Sequence, residues 1–142
     1  MMTVVGVCAA LVVLTTVIHY ELLRGLSAVL PAVRIPSRAK VLVVVFTAFF
    51  AHFAEILFYA LAIFALVRYA HLGTLGEPGR FSLNTALYFS AETYTSLGYG
   101  DVIPVGDLRL VAGVEALNGL LLIGWSASYT YIAMERFWSS DP

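Results

Sequence analysis

The sequence predicts an all-α integral membrane protein with three spanning helices and one short re-entrant helix. Three observations carry that expectation. Hydrophobic residues make up 61% of the 142-residue chain and charged residues only 12%, against about a quarter charged in a typical soluble domain. Three long apolar runs approach or exceed the roughly 20 residues that a spanning helix needs. A fourth helical stretch, residues 82–94, is too short to cross and suits a helix that enters and leaves on one side. The mean hydropathy of +0.89 agrees. This composition excludes a disordered chain, most soluble enzymes and a nucleic-acid binder with a basic face, so no nucleic acid partner is expected. The net charge of −1 provides no steering field. Cys8 is the single cysteine, which leaves no disulfide framework and no cysteine-based zinc site.

The first apolar run, residues 1–18, carries no charged side chain. It lacks the basic start and small-residue cleavage site of a signal peptide, and a retained N-terminal transmembrane helix over 1–23 is expected. Arg24, Arg34, Arg38 and Lys40 fall in the following segment, which marks 24–40 as a cytoplasmic basic loop able to touch anionic lipid headgroups. Pro31 and Pro36 punctuate that loop, and residues 26–33 suit a short interfacial helix. The second run, 41–67, is interrupted by His52 and Glu55. Gly73, Gly76, Pro78 and Gly79 mark an irregular outer loop. The third run is interrupted by Glu115, and a helix from 107 to 137 has 31 residues. At 1.5 Å per residue that is about 46 Å, longer than a hydrocarbon core of about 30 Å, so it must tilt or protrude. Trp125, Tyr129, Tyr131, Phe137 and Trp138 gather toward its inner end, in part as an interfacial aromatic belt. Loop charge puts the N-terminus outside and the C-terminus in the cytoplasm, with weak support from Arg136. Eight residues follow Met134, and no C-terminal ligand-sensing domain is expected.

The chemistry lies in Thr95, Ser96, Leu97, Gly98, Tyr99, Gly100 and Asp101, between the short helix and the third span. Non-helical backbone at membrane depth is tolerated only where it lines a watery path. Glycine adopts the left-handed conformations that let successive carbonyls face one side. Four such segments around an axis would stack rings of carbonyl oxygens able to replace the hydration shell of a potassium ion.

This segment resembles the selectivity filter of potassium channels, Thr-Val-Gly-Tyr-Gly-Asp, and the run from Tyr88 to Ser96 looks like the pore-helix signature of bacterial two-span channels. The resemblance covers roughly residues 41 to 134. It implies a potassium-channel pore domain over 41–138, with outer helix 41–67, pore helix 82–95, filter 96–101 and inner helix 107–137. It implies K+ at Ser96, Leu97, Gly98 and Tyr99, with the Ser96 hydroxyl at the inner end and Asp101 at the outer mouth. Gly100 would shape the outer end, and the Tyr99 ring would pack against neighbouring pore helices. Glu92 and Thr93 would support the filter. No cofactor is implied beyond K+ as the permeant ion. One filter per chain implies a homotetramer in membrane lipid, with a bacterial inner membrane the expected location.

Three departures bear on that resemblance. Serine at 96 replaces threonine and loses a bracing methyl. Leucine at 97 replaces the smaller valine. Tyr88 and Phe89 stand where many relatives carry tryptophan. The first weakens discrimination against sodium, whereas Tyr99 argues for potassium. The resemblance also implies that Glu92 and Asp101 share a proton behind the filter, since close like charges do not both ionise cheaply; a static strut is the alternative. Gly119 and Gly124 are candidate gating hinges by resemblance and close-packing positions otherwise.

His52 and Glu55 lie three apart on one helix face. Two ligands make a poor metal site, which favours a structural role, with Glu55 bonding near the inner end of the pore helix. A proton-sensing role is the alternative. Asn118 either approaches the cavity or makes an interhelical hydrogen bond. No regular arginine array marks a voltage sensor. The leading expectation is passive potassium conduction, not enzymatic activity. A weakly selective monovalent cation channel and a non-conducting assembly or regulatory subunit are the alternatives. The gating stimulus is not legible, and the first helix either rings the pore domain or joins neighbouring subunits.

Overall fold

The computed structural model describes residues 1–76 and 81–138; Pro78 and Gly79 of the expected irregular loop lie outside them. Three long helices dominate: α1 (Met2–Val29), α2 (Ser37–Arg68) and α4 (Leu108–Trp138), with the shorter α3 (Leu83–Tyr94) between the last two. All three long helices are long and apolar enough to cross a membrane. At 12 residues, α3 measures about 18 Å and cannot.

α1 runs further than the sequence reading allowed. It is helical to Val29, and a 3₁₀ turn over Leu30–Ala32 follows. The expected basic loop therefore shrinks to residues 33–36, and no separate interfacial helix forms over 26–33. Nothing between Ile18 and Leu30 breaks a helix, so hydrogen bonding propagates until Pro31 withdraws its N–H. Pro36 caps α2, which starts at Ser37.

Ser82 caps α3, its Oγ accepting the Thr85 amide at 3.2 Å, which satisfies one of the donors left over at a helix start. The outer connections contain a feature absent from the sequence reading. Strands β1 (Gly73–Leu75) and β2 (Pro104–Gly106) pair antiparallel, with Thr74 opposite Val105. They tie the end of α2 to the start of α4 on either side of α3.

α3 packs between α2 and α4, and α1 lies against both long helices. The buried stripe of α1 is Val4, Cys8, Leu11, Thr15, His19 and Leu23, spaced at helical repeats. Val4, Cys8 and Leu11 join Tyr59, Ile63 and Leu66 of α2 and Val111 of α4 in the main core. A second cluster joins Leu30, Val41, Val44, Ala133 and Phe137 at the opposite end. The Met1 ammonium lies 2.9 Å from Asp107 at the head of α4. α1 and α4 therefore run parallel, with α2 antiparallel to both, and α1 docks on the helices of its own chain.

Candidate functional site

The last turn of α3 organises the 95–101 segment. Glu92 is the centre. Its carbonyl accepts the amides of Leu97 at 2.8 Å and Gly98 at 3.3 Å. Its side-chain Oε2 accepts the Tyr99 amide at 3.2 Å. Three successive N–H groups thus converge on one residue. Every described peptide bond is trans, and in a trans peptide the carbonyl of one residue opposes the N–H of the next. The carbonyls of Ser96, Leu97 and Gly98 consequently face away from Glu92, as a row on the other side of the strand.

The backbone dihedrals fit that alternation. Ser96, Gly98 and Gly100 have φ of 58°, 58° and 77°, with Leu97 and Tyr99 between them outside the left-handed region. Glycine takes this conformation freely. Ser96 does so against the usual preference of a side-chain-bearing residue, held by the hydrogen bond that its backbone N–H donates to the Thr93 carbonyl at 3.0 Å. Thr95 closes α3, its Oγ1 donating to the Ala91 carbonyl at 2.8 Å. All of residues 95–101 are exposed on the single chain, with the Tyr99 ring residue at 70%.

Glu92 and Asp101, the pair expected to share a proton, have separate partners. Asp101 accepts the Tyr88 hydroxyl at 3.1–3.2 Å, while Glu92 holds the Tyr99 amide. Burial pushes the Glu92 carboxyl above its ordinary range, and the Asp101 charge adds to this, against the Tyr99 hydrogen bond, which lowers it. The Tyr88–Asp101 bond escaped the sequence reading, which noted only that Tyr88 stands where many relatives carry tryptophan.

Gly119 and Gly124 prove unalike. A Cβ on Gly119 would sit 2.1 Å from the Tyr94 carbonyl oxygen, whereas one on Gly124 would meet nothing within 4 Å. Gly119 is where α4 passes the end of α3. Asn118 is buried and donates to Thr15 Oγ1 of α1 at 2.8 Å, so it makes the interhelical bond. Glu115 is fully buried against Ser90 of α3, whose hydroxyl also donates to the Ile56 carbonyl at 2.8 Å.

Glu55 receives the Tyr94 hydroxyl, at the inner end of α3. It also meets two histidines. His52 Nδ1 lies 3.1 Å from Oε2, and His19 Nδ1 of α1 lies 2.9 Å from Oε1. His19 escaped the sequence reading because the first apolar run was closed at Ile18, one residue short. The signal was the repeat that places Thr15 and His19 on the stripe begun by Val4, Cys8 and Leu11.

The family profile for ion channels matches residues 39–136. Among curated proteins, the inward rectifier potassium channel Kirbac3.1 of Paramagnetospirillum magnetotacticum is 38% identical over 79 residues, 53% of this chain and 26% of that protein. The calcium-gated potassium channel TvoK of Thermoplasma volcanium is 49% identical over 41 residues, 28% of this chain and 12% of that protein. Protein LctB of Geobacillus stearothermophilus is 50% identical over 40 residues, 28% of this chain and 30% of that protein. The matched region spans less than a third of each relative. No solved structure is a significant match.

Proposed function

Because the chain belongs to the ion-channel family, we propose that it conducts potassium passively through a four-fold pore lined by residues 96–99. The observation that carries this reading is the gathering of the Leu97, Gly98 and Tyr99 amides on Glu92. It turns the intervening carbonyls to one face, where four copies would make stacked oxygen rings. A potassium ion entering that stack exchanges water for carbonyl oxygen and leaves by repulsion from the next ion. Site and function are electrostatic and geometric; no covalent step is involved.

The other residues take supporting roles. Ser96 contributes its hydroxyl at the inner end. Asp101, held by Tyr88, raises the local cation concentration at the mouth. The negative end of the α3 dipole at Tyr94 favours a cation in the cavity below. Gly124 has room for a bend in α4, while Gly119 brings α4 against α3. The N-terminus lies outside and the C-terminus in the cytoplasm of a bacterial inner membrane. Exposed Leu97 and Tyr99 supply apolar surface for the neighbouring subunits of a homotetramer.

The test is ion flux through purified protein in liposomes, under a potassium gradient and then a matched sodium gradient. Flux in potassium alone is expected. Equal flux in both would replace this reading with a weakly selective cation channel, for which Ser96 and Leu97 are the reason. No flux at any pH, together with no tetramer by native mass spectrometry, would favour a non-conducting subunit.

A further inference from the structure

We propose that His19, His52 and Glu55 form a binding site for a transition-metal ion of the zinc class, joining the first helix to the end of the pore helix. Their ligand atoms all lie within 4.8 Å of one another. His19 Nδ1 is 2.9 Å from one Glu55 oxygen, and His52 Nδ1 is 3.1 Å from the other. A tetrahedral zinc ion binds imidazole nitrogen and carboxylate oxygen at about 2.0–2.2 Å, which sets neighbouring ligands about 3.3 Å apart. The two nitrogen–oxygen separations, made to different oxygens of Glu55, are within a few tenths of an ångström of that edge, and the three ligand atoms draw together from within 4.8 Å to complete it.

The surroundings orient the ligands. His19 Nε2 lies 3.2 Å from Ser126 Oγ of α4. With Nδ1 on a metal, Nε2 carries the proton and donates it to Ser126, the outer hydrogen bond that metal-bound histidines characteristically make. The Tyr94 hydroxyl lies 2.9 Å from His52 Nδ1 and bonds to Glu55, beside two of the three ligands. Two imidazoles and one carboxylate suit zinc and its neighbours. Calcium and magnesium favour six or more oxygens and are poorly served.

Charge favours the same reading. Glu55 is fully buried, and its ion-pair partners among the described residues are the two histidines. A dication compensates that carboxylate, and the nearby C-terminal end of α3 favours positive charge. His52 retains 18% side-chain exposure on the single chain while His19 and Glu55 have none. The sequence offered only the His52–Glu55 pair; α1 supplies the third ligand from 36 residues away.

The experiment uses the full chain in detergent, stripped with a chelator and titrated with Zn2+ against a chromophoric competitor. One Zn2+ per chain is expected, undiminished by excess Mg2+. H19Q and H52Q should each weaken it at least about 10-fold, and S126A by about 10-fold. X-ray absorption of the zinc-loaded wild type should show a nitrogen and oxygen shell at about 2.0–2.2 Å. That measurement stands if a variant fails to fold. Absence of stoichiometric Zn2+, or wild-type affinity in the H19Q/H52Q double variant, overturns the site and leaves a purely hydrogen-bonded cluster. Potassium flux from the same preparation separates the two proposals. Protein that conducts but binds no Zn2+ overturns the metal site alone.

Discussion

The Glu92 carboxylate accepts the backbone amide of Tyr99 at 3.2 Å, seven residues along the chain. With its carbonyl engaged by Leu97 and Gly98, Glu92 fastens the 95–101 segment at three points. Its carboxyl sits above its ordinary range because it is buried, with Asp101 adding to the effect. A raised acid contributes most to the folded arrangement below its unfolded value of about 4.3. That contribution fades as pH rises through the raised value. Channel inactivation in liposome recordings should therefore change with pH in the window above about 4.3, and E92Q should flatten the dependence. E92A should also speed inactivation, since it leaves the Tyr99 amide without its acceptor. Unchanged inactivation and an unchanged pH profile in both would reduce Glu92 to a static strut.

Gly119 and Gly124 make a paired test of packing within α4. Alanine at 119 would place Cβ 2.1 Å from the Tyr94 carbonyl oxygen, and neither helix backbone yields easily. G119A should destabilise the protein by roughly 1–3 kcal/mol, as other overpacked positions do. At Gly124 the space is open, and alanine improves helix propensity by up to about 1 kcal/mol. Thermal unfolding followed by size-exclusion fluorescence should show Tm falling in G119A and holding or rising in G124A. A loss of flux in a stable G124A protein would mark that position as a bend used in gating.

The Thr15–Asn118 bond, 2.8 Å between α1 and α4, predicts a measurable but modest coupling. Interhelical hydrogen bonds in membranes average about 0.6 kcal/mol and reach about 1.7. A double-mutant cycle of T15V and N118L, read by denaturant unfolding in detergent, should return a coupling in that range. A coupling of zero would mean that the first helix is docked without this bond, by the apolar packing of Val4, Cys8 and Leu11 and the His19 and Met1 contacts.

These relationships separate what the chain declares locally from what only the fold declares. Helical repeats and apolar length are local, so the spanning helices and the short α3 were readable. The His52–Glu55 pairing was readable too, because both residues stand on one helix face. The docking of α1 was not, because it depends on register between helices that share no sequence signal. His19 therefore carried no role in the sequence, although the fold makes it the partner of Glu55. The three-residue strands also escaped notice. Gly73 reads as a loop residue until β1 and β2 are seen to pair across α3, with Gly106 opposite it. At residues 95–101 the glycines announced their positive φ, but the same conformation at Ser96 is imposed by hydrogen bonds that no propensity reveals.

Gly98 permits the sharpest test of the carbonyl row. Its φ of 58° costs an L-residue roughly 1–2 kcal/mol, and nothing within 4 Å would obstruct a Cβ. Any defect in G98A thus arises from backbone conformation rather than from a clash inside the chain. In a ring of four copies the cost is about 4–8 kcal/mol, enough to favour an arrangement in which the peptide planes have turned. Potassium flux should fall at least about 10-fold while the tetramer persists. G113A provides the control: Gly113 lies in α4 with open space, and its flux should match the wild type. If G98A conducts as well as G113A, the left-handed conformation at position 98 is not required, and the alternating backbone does not form the ion path.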